Sequence, residues 1–170
     1  MTPVVGPQPP YQVSDSETYS KNILGPVYFE LSNLRVAGTA GEPMPPGFVA
    51  PSQSPYIIAS NEPFSVSVDI KFNKSPLSEL LLCLGTELKI NFAFEGIGGT
   101  AAELDLAAIE VTTKGKFDYT VTYSGVPNQV GLTPGFYAIA AVATIGPAKH
   151  PCSQYIFGYG YIAKALLQVY

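Results

Sequence analysis

From residue 26 onward the chain alternates apolar and polar side chains with a period of two, the signature of strands with one dry and one wet face. Val27, Phe29 and Leu31 alternate with Tyr28 and Glu30, and a phase slip at Asn33 lets Leu34 and Val36 continue, as across a bulge. The cleanest run sets Phe64, Val66, Val68, Ile70 and Phe72 against Ser65, Ser67, Asp69 and Lys71. Leu88, Ile90, Phe92 and Phe94 repeat the pattern, as do Phe117, Tyr119, Val121 and Tyr123. Lys114-Gly115 stands before this last run and predicts a hairpin turn from a strand near Leu104–Thr112. Residues Phe136–Ile145 are apolar on both faces, with Ala138, Ala140, Ala141 and Ala143 among them, which predicts a central strand. Tyr155–Tyr161 and Ala165–Tyr170 read as one long closing strand, kinked near Gly158 and Gly160. The expected core is Phe64, Val66, Val68, Ile70, Phe92, Val121, Tyr137 and Ile139.

One segment breaks the alternation. Ser75 is a good N-cap, Pro76 suits the first helical position and Gly85 ends a turn, so a short helix is predicted at 76–84, crossing between sheets. Leu77, Leu80, Leu81 and Leu84 would share one helical face, and a strand is the competing reading. Seven or more strands with one short helix predict an all-β fold, an antiparallel two-sheet sandwich. The segment Leu132-Thr133-Pro134-Gly135-Phe136-Tyr137 resembles the Leu-x-Pro-Gly-x-Tyr entry to the penultimate strand of immunoglobulin-like and fibronectin-like domains. The resemblance implies that Tyr137 buries its ring and hydrogen-bonds the connecting loop. It implies a fold and no function.

Proline divides the chain. Ten of the 16 prolines fall in the first 55 residues. Residues 1–22 show no apolar period and read as an extended Pro-rich arm, leaving 23–170 as a single β-sandwich domain. The arm nevertheless carries Val4, Val5, Tyr11 and Val13, apolar anchors that a solubilising tail would not need, and it is expected to contact another chain or the parent sandwich. Gly38–Pro55 is a second Pro/Gly-rich passage, read as a long loop over the domain.

Composition sharpens this picture. Charged residues make up only 13% of the 170, against about a quarter in ordinary globular chains. Mean hydropathy is +0.20. One arginine, Arg35, and scattered lysines argue against nucleic-acid binding. No apolar run is long enough to span a membrane as a helix. The first residues show no signal-peptide pattern, so the address is cytoplasmic by default or that of a mature extracellular form. An isolated sandwich needs charged edges to stay monomeric, and so low charge points to surface covered by copies of the chain, a homo-oligomer.

The inventory for catalysis is thin. His150 is the only histidine; it sits in His150-Pro151-Cys152 beside Lys149, with no acid nearby to orient it. No enzyme activity and no cofactor are expected. Cys83 and Cys152 lie out of phase with the strands that a sandwich disulfide would join, and two unpaired thiols are the expectation. Glu103 and Asp105 follow a Gly-rich loop that suits calcium by pattern, but the wet face of a strand start accounts for them equally well. The remaining oddity is tyrosine, 11 in all, with Tyr155, Tyr159 and Tyr161 at odd positions of one segment. On one strand face they would pad a protein contact or stack a sugar. The leading reading is a non-catalytic, self-associating structural subunit. A carbohydrate- or protein-binding module is the alternative.

Overall fold

A computed structural model describes residues 24–38, 57–98, 103–147 and 158–170. Its elements are β1 (Phe29–Gly38), β2 (Ile57–Ile58), β3 (Phe64–Phe72), α1 (Pro76–Leu84), β4 (Thr86–Ile97), β5 (Leu104–Val111), β6 (Asp118–Gly125), α2 (Pro127–Val130), β7 (Gly135–Pro147) and β8 (Gly158–Val169). They make an all-β fold of two sheets: β1-β3-β6, and β2-β8-β7-β4-β5. Each pairing is antiparallel except β2 with β8, which run parallel, so the expected purely antiparallel arrangement is corrected there. A two-residue strand held only by its neighbour's end carries no periodic signal of its own.

The dry faces of the two sheets meet. All eight residues expected in the core are buried, and Phe64 stands edge-on to Phe94 across the sheets at 6.2 Å. Phe94 is in turn edge-on to Tyr137 at 6.5 Å. The central position expected for Phe136–Ile145 is observed, since β7 lies between β4 and β8. The slip at Asn33 is also real. The β1–β3 register shifts between Ser32 and Arg35, and Asn33 adopts a φ of 54°.

The helix α1 spans the predicted residues. The Ser78 N–H donates to Ser75 Oγ at 3.1 Å, Pro76 opens the first turn, and Gly85 closes it in a left-handed conformation. The leucines do not define its buried face. Ser78 and Leu82 point inward, while Leu80 and Leu84 are exposed. The Ser78 hydroxyl donates to Asn73 Oδ1 at 2.8 Å, so a satisfied polar contact rotates the helix away from a leucine-only seam.

Two further expectations are corrected. Lys114-Gly115 does not turn a hairpin, because β5 pairs with β4 and β6 pairs with β3, in different sheets. The connection crosses the sandwich edge and is held by Tyr119, whose hydroxyl accepts from the Thr113 N–H at 2.9 Å and sits 2.8 Å from the Lys116 carbonyl. The closing strand β8 is broken at Lys164, with φ 88°, opposite a register shift at Ile139/Ala140, and pairs with β7 without a shift through Gly160; residues 155–157 lie outside the described residues.

Candidate interaction face on the five-stranded sheet

Strand β8 begins Gly158-Tyr159-Gly160-Tyr161, and pleating sends the glycines to one side and the tyrosines to the other. On the glycine side β1 closes in. A Cβ added to Gly160 would lie 2.7 Å from Phe29 Cε2 and 2.9 Å from Leu31 Cδ1, closer than atoms tolerate. Glycine therefore lets the edge of one sheet press on the other. On the outer side Tyr159 and Tyr161 are each 69% exposed. Tyr159 and Tyr161 therefore share one face of the strand. Tyr155, the third of the set, lies outside the described residues.

The register extends this face across the sheet. Tyr161 stands beside Val142, which stands beside Asn91 and then Ala107; Tyr159 stands beside Thr144, Lys89 and Ile109. Neighbours in such rows are about 4.8 Å apart. In the next row Ala140 and Ala93 keep the surface low. Farther along, Ile97 and Phe136 are paired and exposed, and Ile109 and Val111 expose 55% and 44% at the β5 edge. An outer sheet face in contact with water normally carries polar side chains at these positions. Here it is largely apolar, with Lys89, Glu87, Glu95 and Asp105 interspersed. Ile97, Ile109 and Val111 were not singled out by sequence, because adjacency across strands is set by register, which no local pattern reveals.

The outer face of the three-stranded sheet is different. Thr120, Thr122 and Asp69 occupy it, and Asp69 holds the β1 bulge in place. Its carboxylate accepts from Thr120 Oγ1 at 2.8 Å, Arg35 Nη1 at 3.1 Å and Asn33 Nδ2 at 3.2 Å. Partial burial pushes the carboxyl pKa up, but these hydrogen bonds and the Arg35 charge outweigh it and leave the group below its ordinary value. With every partner supplied from the chain itself, the cluster acts as a latch on the bulge.

A hollow of about 250 Å³ opens at the seam between β1 and β8, with Val27, Phe29, Phe72, Leu81 and Ile145 on its walls and Tyr28 and Tyr159 lining it as well. That is below the usual range of small-molecule pockets. The Thr86 hydroxyl in its lining already donates to the Leu81 carbonyl at 2.7 Å.

The other sequence candidates are quickly placed. Glu103 and Asp105 are both exposed, Asp105 pairing with Ala93 on β4; residues 99–102 of the loop before them lie outside the described residues. Among the described residues no three His, Cys, Asp or Glu side chains gather as a metal site would need. Cys83 is exposed on α1 and unpaired. His150, Cys152 and the arm anchors Val4, Val5, Tyr11 and Val13 lie outside the described residues. No helix among the described residues is long and apolar enough to cross a membrane.

No protein-family model matches this chain, and no curated protein matches it. Among solved structures it is similar to AggA, the major subunit of aggregative adherence fimbriae type I from Escherichia coli, at 13% identity and a TM-score of 0.34. That match covers 83% of this chain and 96% of the fimbrial one. It is also similar to part of a β-glucosidase from Listeria innocua, at 13% identity and a TM-score of 0.36. Here 85% of this chain matches only 16% of the enzyme's length. Likeness at this level assigns no function, and the functional reading rests on the face itself.

Proposed function

We propose that this chain is a non-catalytic structural subunit of an immunoglobulin-like or fibronectin-like sandwich, spanning residues 23–170, which associates with copies of itself. The observation that carries the reading is the outer face of the five-stranded sheet, where Tyr159, Tyr161, Val142 and Ile109 are exposed in adjoining rows. Exposed aromatic and aliphatic side chains on an outer sheet face suit a dry protein contact better than a ligand cleft. The fold name is supported by the strand order and by Tyr137. Its ring is buried at the start of β7 and its hydroxyl donates to the Thr133 carbonyl four residues upstream at 2.6 Å, the geometry of a tyrosine corner.

In this reading residues 1–22 form an arm whose Val4, Val5, Tyr11 and Val13 add a second contact to a neighbouring copy. An extended Pro-rich segment loses little entropy on docking. His150 and Cys152 serve no reaction, and His150→Ala leaves assembly unchanged.

Sedimentation velocity over a range of concentrations tests the proposal. The parent chain should form species larger than a monomer, and Tyr159→Lys/Tyr161→Lys should shrink them. A discrete monomer throughout, or assembly unaffected by both lysines, overturns it.

A further inference from the structure

The two ends of α1 are held differently. At the C-terminal end the Thr86 hydroxyl donates to the Leu81 carbonyl at 2.7 Å and the Thr112 hydroxyl to the Leu82 carbonyl at 3.1 Å, with Leu82, Thr86 and Thr112 all buried. At the N-terminal end the first N–H groups have no partner within the helix. Ser75 Oγ takes that of Ser78, and the Leu77 N–H reaches outside, to the Leu24 carbonyl at 3.0 Å. Residues 24–28 thus cap the helix from without. Gly25 turns this segment at a φ of 77°, a conformation that glycine adopts without strain. The Pro26 carbonyl then accepts from Asn73 Nδ2 at 2.9 Å and from Ser75 Oγ at 2.7 Å. Asn73 Oδ1 accepts in turn from the Tyr28 N–H and from the Ser78 hydroxyl, each at 2.8 Å. One side chain ties the segment, the turn after β3 and the helix together.

The segment precedes the β1–β3 ladder, whose first pair is Phe29 with Phe72. Its bonds to Asn73 and Ser75 are exposed to solvent, as are the side chains of Leu24, Pro26 and Tyr28, while Val27 is half-buried. Val27 and Tyr28 line the hollow whose other walls include Phe72, Leu81 and Ile145. Solvent-exposed hydrogen bonds over little buried apolar surface mark the parts of a fold that open at low cost. Phe29 is better held, its ring packed on Phe72 with centroids 5.9 Å apart. We propose that residues 24–28 are a strap, locked by Asn73, that lifts as a unit from Phe29 while the sandwich stays folded, uncovering the apolar hollow behind it. Lifting exchanges the bonds to Leu77, Asn73 and Ser75 for bonds to water, and α1 keeps its place through Thr86 and Thr112. The device works alike in a monomer and in an assembly.

Thiol labelling under native conditions tests it. In a Cys83→Ser/Cys152→Ser background, Val27→Cys puts a thiol on the strap's inner side, and Val66→Cys puts one in the core, where Val66 is fully buried. A strap that lifts alone exposes little surface. Labelling of Val27→Cys should therefore be slower than that of a free thiol, far faster than that of Val66→Cys, and nearly indifferent to urea below the unfolding transition. Labelling of Val66→Cys should accelerate steeply with urea, as global opening requires. Adding Asn73→Ala removes the bonds to Tyr28 and Pro26 and should speed the labelling of Val27→Cys about ten- to a hundredfold, with its shallow urea dependence kept. Matching urea slopes at the two thiols would mean that the strap opens only with the whole sandwich, which overturns the proposal; this comparison needs no change at Asn73. Labelling of Val27→Cys at the rate of a free thiol, or unaltered by Asn73→Ala, overturns it as well.

Discussion

The contact between Gly160 and β1 allows a prediction worked from distances. In Gly160→Ala the new Cβ would sit 2.7 Å from Phe29 Cε2, 2.9 Å from Leu31 Cδ1 and 3.2 Å from Leu31 Cγ. Comfortable carbon contacts begin near 3.5 Å, so something has to retreat by most of an ångström. The Phe29 ring has little room, because it packs on Phe72 with centroids 5.9 Å apart. Leu31 can change rotamer, but only by lifting part of the edge strand. Inserting a methyl into such a contact costs about 1–3 kcal/mol, and a value near 2 is expected here. In a domain of this length each kcal/mol lowers the melting temperature by about 2–4 °C, so a fall of roughly 4–8 °C should appear. Urea denaturation of Gly160→Ala, Leu31→Ala and the double variant forms a cycle. The double variant should be more stable than the two single losses add up to, because the smaller residue 31 makes the space the methyl needs. A loss below about 0.5 kcal/mol in Gly160→Ala, or strict additivity in the cycle, would refute the close-approach argument.

Phe92→Ala removes a fully buried ring from the centre of the sandwich and should cost about 3–5 kcal/mol in the same urea titration; less than one would mean the strand faces are misassigned. Tyr137→Phe keeps the ring and loses only the bond to the Thr133 carbonyl, so a cost of about 1 kcal/mol is expected, with Tyr137→Ala several times worse. The lowered pKa of Asp69 means that the ionised carboxylate is favoured by folding, so its contribution is full above the unfolded carboxylate value and fades as pH falls through the folded one, below about pH 4. Because Asp69 and Arg35 are partly exposed, the contribution should stay under about 1 kcal/mol, and Asp69→Asn should flatten that part of the stability–pH curve.

What was legible in the sequence is what local chemistry decides. The ends of α1 were readable because Ser75, Pro76 and Gly85 act within one turn. The faces of β3 and β4 were readable because strict alternation admits one buried phase. What depends on a distant partner was not. The turn at Lys114-Gly115 looks like a hairpin until β5 and β6 are seen in different sheets. Gly158 and Gly160 look like a kink until Phe29 and Leu31 are seen pressing on them. The apolar outer face showed through at Phe136–Ile145, where both sides of one strand are apolar, yet Ile97, Ile109 and Val111 join it only through register.

The parallel pairing of β2 with β8 carries a kinetic consequence. Ile57 and Ile58 meet Gln168 and Val169 across more than a hundred positions of chain, and the Tyr170 N–H donates to the Ile58 carbonyl at 3.1 Å while the Ser60 N–H donates to the Tyr170 carbonyl at 2.7 Å. Closing so long a loop costs entropy that two pairs of residues cannot repay alone. Ile58, although fully buried, must therefore wait until β7 and β8 are already in place. Ile58→Ala should therefore speed unfolding and leave the folding rate unchanged, the signature of such a late docking step.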